Sequence, residues 1–117
     1  MTFSIQSTLS AIKAFGQKMG VTANNIANVE TEEFKKSTAT LVEGPKNNVE
    51  VEITQPDIPG PVVVDVTDGQ LTEREMSNVD LAEEIPQTMI AQRGYEANLA
   101  TLRTQDEMLK SIIDIIK

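Results

Sequence analysis

The chain contains no cysteine and no histidine. Disulfides, thiol nucleophiles, zinc fingers and imidazole acid–base chemistry are therefore excluded. Aromatic residues are scarce as well: three Phe, one Tyr and no Trp leave no material for a large aromatic core. No apolar run approaches the roughly 18 residues of a membrane span. The first residues lack a basic stretch followed by an apolar core, so no cleavable signal peptide is expected. Positive charge is also short, with 10 basic against 18 acidic residues and a net charge of −8. That balance disfavours binding to nucleic acid or to anionic membranes through a general basic surface. It is uneven along the chain. Residues 1–29 carry Lys13 and Lys18 and no acid, whereas residues 37–72 carry six acids against Lys46.

What the sequence does have is helical periodicity at both ends. Over residues 78–117, Leu81, Ile85, Thr88, Gln92, Tyr95, Leu99, Leu102, Asp106, Leu109, Ile113 and Ile116 alternate spacings of four and three. This is the a/d pattern of a coiled coil held for about five heptads, and such a helix spans roughly 60 Å. Thr88, Gln92 and Asp106 interrupt the seam, the last two either by pointing partly to solvent or by setting helix register at some cost in stability. Asp80 followed by Glu83 resembles a capping box, so the helix is expected to start near Ser77 or Asn78. Pro86 removes a hydrogen bond to Ala82, which predicts a kink or a start nearer Ile85. Lys110 and Lys117 suit the C-terminal end of the helix dipole.

A second seam runs through residues 3–29 at Ile5, Leu9, Ile12, Gly16, Met19, Ala23 and Ile26. Ser4 or Thr2 is a candidate cap. Gly16 and Gly20 each weaken an isolated helix by about 1 kcal/mol relative to Ala, so this segment depends on packing. Asn24, Asn25 and Asn28 cluster at its end. They either fray the helix near Asn28 or, with Asn24 and Asn28 one turn apart, present amides to a neighbouring chain.

The middle alternates apolar and polar residues in short runs. Thr38, Thr40 and Val42 suit one strand, Val49, Val51 and Ile53 a half-buried second, and Val62–Val66 a third. Turns fall at Glu43–Asn48, around Pro56–Pro61, and at Asp68–Gly69. A two- or three-stranded element of this size needs the helices to stabilise it. The acid pairs Glu32/Glu33, Glu73/Glu75 and Glu83/Glu84 read as solvated charge, since adjacent acids on a helix do not face one another. Asp65–Gly69 lacks the ligand spacing of a calcium loop and reads as a turn. There is no phosphate-binding glycine loop.

Two stretches carry a family resemblance. ANNIANVETEEFK (residues 23–35) resembles the N-terminal signature of bacterial flagellar basal-body rod and hook proteins. SNVDLAEE (77–84), AQRGYEANL (91–99) and TQDEML (104–109) resemble the family's C-terminal region. The likeness covers roughly residues 3–40 and 73–117 and omits the middle. Glu33 stands where the family often has Gly, Gly94 where Ala is usual, and Pro86 where an ordinary helix former is normal.

The expected fold is mainly α, with long terminal helices paired as an antiparallel coiled coil and a small β element between them. The expected organisation is residues 1–36, 37–72 and 73–117. The resemblance implies a structural subunit of the flagellar rod, not an enzyme, assembling through its terminal helices into a helical tube that transmits torque. It implies export through the flagellar type III apparatus to the periplasmic rod, without signal cleavage. The partners implied are other rod subunits and copies of the chain, with no cofactor, nucleic acid or small-molecule substrate. The expected assembly surface comprises Ile5, Leu9, Ile12, Met19, Asn24, Asn25, Ile26 and Asn28 with Leu81, Ile85, Tyr95, Leu99, Leu102, Leu109 and Ile113. The alternative is a cytoplasmic helical adaptor or export chaperone of the flagellar system. Such a protein has no reason to carry the asparagine motif.

Overall fold

The computed structural model describes the backbone of residues 2–116 and the side chains of residues 4–116. Helix α1 (Thr2–Ala27) is followed by strands β1 (Thr38–Glu43), β2 (Val49–Thr54), β3 (Val62–Thr67) and β4 (Gln70–Glu75), and then by helix α2 (Leu81–Ile116). The two helices pack on each other, and β1 and β2 pack on α1. The particle is elongated, 84 Å by 23 Å by 16 Å. No helix among the described residues is long and apolar enough to cross a membrane.

The middle differs from the single β element expected. It is two separate antiparallel hairpins, β1–β2 and β3–β4. In the first, pairing runs from Thr38 with Thr54 to Glu43 with Val49. This hairpin is seated on α1. Val49 N–H donates to Ser10 Oγ at 3.0 Å and Ser7 Oγ donates to the Asn47 carbonyl at 2.6 Å. Val49 and Val51 are half-buried there, while Ile53, at the far end of the strand, is exposed. In the second hairpin Val62 pairs with Glu75 and Thr67 with Gln70. Asp68 and Gly69 form its turn with φ of 53° and 77°. Two consecutive left-handed residues are what a tight two-residue hairpin loop requires, and Asp-Gly supplies them at low cost. The chain therefore reverses at this point and pairs, rather than merely breaking.

Helix α2 starts at Leu81, three residues after Asn78, because Asp80 is its cap. Asp80 Oδ1 accepts from Ala82 N–H at 3.0 Å. Glu83 does not complete a capping box; its carboxylate meets Lys36 Nζ at 2.8 Å. Pro86 lies inside the continuous helix. The carbonyl it orphans belongs to Ala82, an exposed residue near the start of the helix. Ser4 is inside α1 and caps nothing, while the Thr2 side chain and Lys117 lie outside the described residues. Lys110 pairs with Asp106 at 3.0 Å.

Candidate assembly interface

Three contacts fix how the helices meet. Gln105 Nε2 donates to Ser4 Oγ at 2.6 Å, and Asn25 Nδ2 donates to Glu84 Oε2 at 3.1 Å. Between them the Phe15 ring lies against Gly94. Each step forward along α1 matches an equal step backward along α2, so the helices run in opposite directions.

The most buried positions of the helices do not coincide with the apolar seam that the spacing picks out, although Ile5, Ile12, Met19, Leu99, Leu102 and Leu109 of that seam are half-buried. The buried residues of α2 are Glu84, Ala91 and Gln105. Each immediately precedes a seam position, and those positions, Ile85, Gln92 and Asp106, are exposed. On α1 the buried residues are Thr8, Ala14, Thr22 and Asn25. The fully buried side chains of the two helices are thus small or hydrogen-bonding, while the larger apolar ones are half-buried, as Phe15, Leu99 and Leu102 are, or exposed. Leu81, Ile85, Met89 and Ile90 are all at least 40% exposed.

Gly94 is a packing residue. A methyl group added at this position would fall inside the Phe15 ring. Gly94→Ala is therefore expected to destabilise by about 1 kcal/mol. Overpacking costs about 1–3 kcal/mol and outweighs a helix-propensity gain of about 1. Urea denaturation of the variant checks the sign, and a stabilised variant contradicts the contact.

A polar junction joins the end of α1 to the start of α2. Asn25 is 1% exposed. Its Nδ2 donates to the Ser37 carbonyl at 2.7 Å as well as to Glu84, and its Oδ1 accepts from Ser37 N–H at 3.1 Å. Asn78 does a similar task one layer out. Its Oδ1 accepts from Lys36 N–H at 2.7 Å and its Nδ2 donates to the Ile58 carbonyl at 2.9 Å. The base of β3–β4 is latched to the same junction. Glu75 pairs with Lys35 and accepts from Gly60 N–H at 3.1 Å, and Arg74 meets Glu32 at 2.7 Å. The Lys35 ammonium, helped by the Gly60 N–H, holds the Glu75 carboxyl below the usual carboxylate range. Glu32, Glu75 and both Glu83 and Glu84, drawn from the three acid pairs noted in the sequence, are thus engaged in holding segments together.

The residues expected to form the assembly surface are divided by this packing. Asn25 is buried within the chain. Ile5, Ile12, Met19, Ile26, Asn28, Leu99, Leu102 and Leu109 are half-buried, and Leu9, Asn24, Leu81, Ile85, Tyr95 and Ile113 are exposed. Asn28 Nδ2 is engaged by the Asn24 carbonyl at 2.8 Å and its Oδ1 by Thr31 at 3.0 Å. Of the two amides expected to face a neighbour, only that of Asn24 is exposed. Sequence reasoning passed over Met89, Ile90, Met108 and Ile112, which are also exposed. Their signal is the apolar content of α2 outside a single a/d stripe.

Residues 5–35 match the family described as flagella basal body rod protein, and residues 72–115 match flagellar basal body rod FlgEFG protein C-terminal. The flagellar hook protein FlgE of Escherichia coli K12 is 40% identical over 50 residues, which is 43% of this chain and 12% of that protein. The flagellar basal-body rod protein FlgG of Bacillus subtilis is 42% identical over 41 residues, 35% of this chain and 16% of that one. The chain belongs to the flagellar rod and hook protein family. The matches span only a small part of these relatives' length. Within this chain they fall on α1 with the turn after it, and on the end of β3–β4 with α2, so the family segments are the two helices that pack together. Strands β1, β2 and β3 lie outside both. Glu33, where the family often has Gly, takes φ of 58°, so the left-handed turn that glycine favours is kept by a side chain that disfavours it.

Proposed function

We propose that this chain is a structural subunit of the flagellar basal-body rod, joining copies of itself and other rod subunits through its terminal helices into a helical tube. The observation that carries this reading is the exposed apolar face of α2. The helix pair leaves Leu81, Ile85, Met89 and Ile90 uncovered, as a unit built to be packed against others would. In the tube, the antiparallel pair is the coiled-coil element of an inner layer. Close-packed helices resist deformation, which lets such a tube transmit torque. A contact between unlike faces that does not close on itself extends without limit. In this reading residues 1–36 and 73–117 are the assembling parts and residues 37–72 are an inserted module. The chain reaches the periplasmic rod through the flagellar type III apparatus without signal cleavage.

The test is to purify basal bodies from cells carrying an epitope-tagged chain. The tagged wild type is expected in them, and its absence overturns the assignment. Ile85→Asp places a charge on the exposed face without disturbing the contact within the chain. It is expected to cut incorporation about tenfold. Incorporation equal to wild type overturns the role given to this face.

A further inference from the structure

We propose that the free edge of strand β1 receives an uncharged, extended segment of another protein, which pairs with it as a third strand. The site lies apart from the exposed face of α2 and stands independently of the rod assignment. It follows from the hydrogen-bonding phase of the first hairpin. Gly44 N–H donates to the Asn48 carbonyl at 2.7 Å, so these two residues form a hydrogen-bonded pair. In an antiparallel ladder such pairs alternate with pairs whose backbone groups point outward. By the register, Val42, Thr40 and Thr38 therefore direct their backbone groups at β2. Leu41 and Ala39 direct theirs away from it. The same phase accounts for Val49 on the opposite edge, whose outward N–H meets Ser10 Oγ.

At Ser37, just before β1, the outward pair is already filled. Its N–H donates to Asn25 Oδ1 at 3.1 Å, and its carbonyl accepts from Asn25 Nδ2 at 2.7 Å. One carboxamide there makes both bonds that a residue of a neighbouring strand would make. Two residues on, Ala39 presents the same outward pair, and Leu41 presents another. Among the described residues neither pair has a partner. Ala39 is only 7% exposed, so water reaches its backbone poorly, and unpaired groups so placed are costly. An extended chain that continues the row begun by the Asn25 amide satisfies them.

The surroundings select the occupant. The edge from Ser37 to Leu41 is one wall of a trench of about 500 Å³. Phe15, Lys18 and Thr22 of α1 form its floor, and Glu83, Glu84 and Gln87 of α2 line the far side. A trench walled on its far side by a helix takes a single strand, not a hairpin. The strands of a second copy come as hairpins, and its 55–61 linker holds Pro56, Pro59 and Pro61, which have no N–H to give. Charge points the same way. Glu83 is paired with Lys36 at 2.8 Å, which leaves Lys18 of the floor balanced by Glu84 of the wall. Every strand of this chain carries an acid, which a balanced site does not favour. Backbone pairing supplies the affinity, and an uncharged β-branched segment suits the pleat.

The probe is the blocked peptide acetyl-Thr-Val-Thr-Val-Thr-amide, added to the full chain, with amide exchange read residue by residue. In the free chain Ala39 and Leu41 are expected to exchange faster than Thr40 and Val42. With peptide at about 1 mM they are expected to slow about tenfold or more. Thr40 and Val42, already paired with β2, are expected to change little. Two N-methylated forms of the peptide, blocked at the threonine or at the valine amides, are expected to differ in affinity about tenfold, because a paired strand turns alternate amides to its partner. No slowing at about 1 mM peptide overturns the proposal. Uniform slowing from Thr38 to Glu43, or equal loss for both methylated forms, overturns pairing at this edge. Slowing of Ala39 and Leu41 that grows with the concentration of the chain alone overturns the choice of occupant, because a second copy then fills the trench.

Discussion

Asn25→Asp is expected to lower the stability of the folded chain by about 3 kcal/mol at neutral pH, although it exchanges one amide nitrogen for an oxygen. The amide donates to the Ser37 carbonyl and to the Glu84 carboxylate inside a site that is almost closed to water. A carboxylate there donates nothing, leaves both acceptors facing an oxygen and sets two negative charges side by side. The Glu84 charge pushes the new carboxyl's pKa up in the folded state. The penalty is thus full above that raised pKa and shrinks as pH falls through it. Urea denaturation across neutral and acid pH measures this. A loss under about 0.5 kcal/mol at neutral pH, the range of ordinary surface changes, refutes the role given to Asn25.

Gly60→Ala is expected to detach hairpin β3–β4 from the junction at a cost of about 3 kcal/mol locally. A methyl group at Gly60 would overlap the Met76 carbonyl, which is backbone and has no rotamer with which to give way. Moving the loop breaks three bonds together: Met76 N–H to the Pro61 carbonyl at 2.8 Å, Gly60 N–H to Glu75 at 3.1 Å, and Asn78 Nδ2 to the Ile58 carbonyl at 2.9 Å. Amide exchange should show β3 and β4 losing protection while α1 and α2 keep theirs. Acid should do the same to the wild type. The Glu75 carboxyl is held low, so its contribution is present above the ordinary carboxylate range and is lost as pH falls through the lowered value. Hairpin protection unchanged in Gly60→Ala, or insensitive to acid, would show that the latch does not hold it.

Periodicity made the helices legible because each has a buried side and an exposed side over many turns. On α2 it placed the most buried positions one residue too late at Ile85, Gln92 and Asp106, since it assumes that apolar residues seek the nearest partner within the chain. Here Glu84, Ala91 and Gln105 take that place and Ile85 does not. Nothing local marks Glu84 as buried; its partner, Asn25, lies in the other helix. The meaning of Gly94 is likewise written at Phe15. Strand β4 escaped notice because QLTERE offers one apolar residue and is held by pairing and ion pairs, not by burial. Its signal was present in the Asp-Gly dipeptide, whose two left-handed residues demand a returning strand. The asparagine cluster was legible as a special site. Which of its members turns inward depended on Ser37, in the stretch that returns past the helix end.

Among the described residues the buried hydrophobic ones are three alanines, Ala14, Ala39 and Ala91. Heat capacity registers how much apolar surface leaves water, and alanines hide little of it. With the larger apolar side chains at most half-buried, folding of a single copy is expected to show a heat-capacity change below the usual value for its length, which calorimetry measures. In the proposed rod, the large negative change that most domains register on folding comes when neighbours cover the exposed face of α2. In that proposed assembly, the step that resembles the folding of an ordinary globular domain is association.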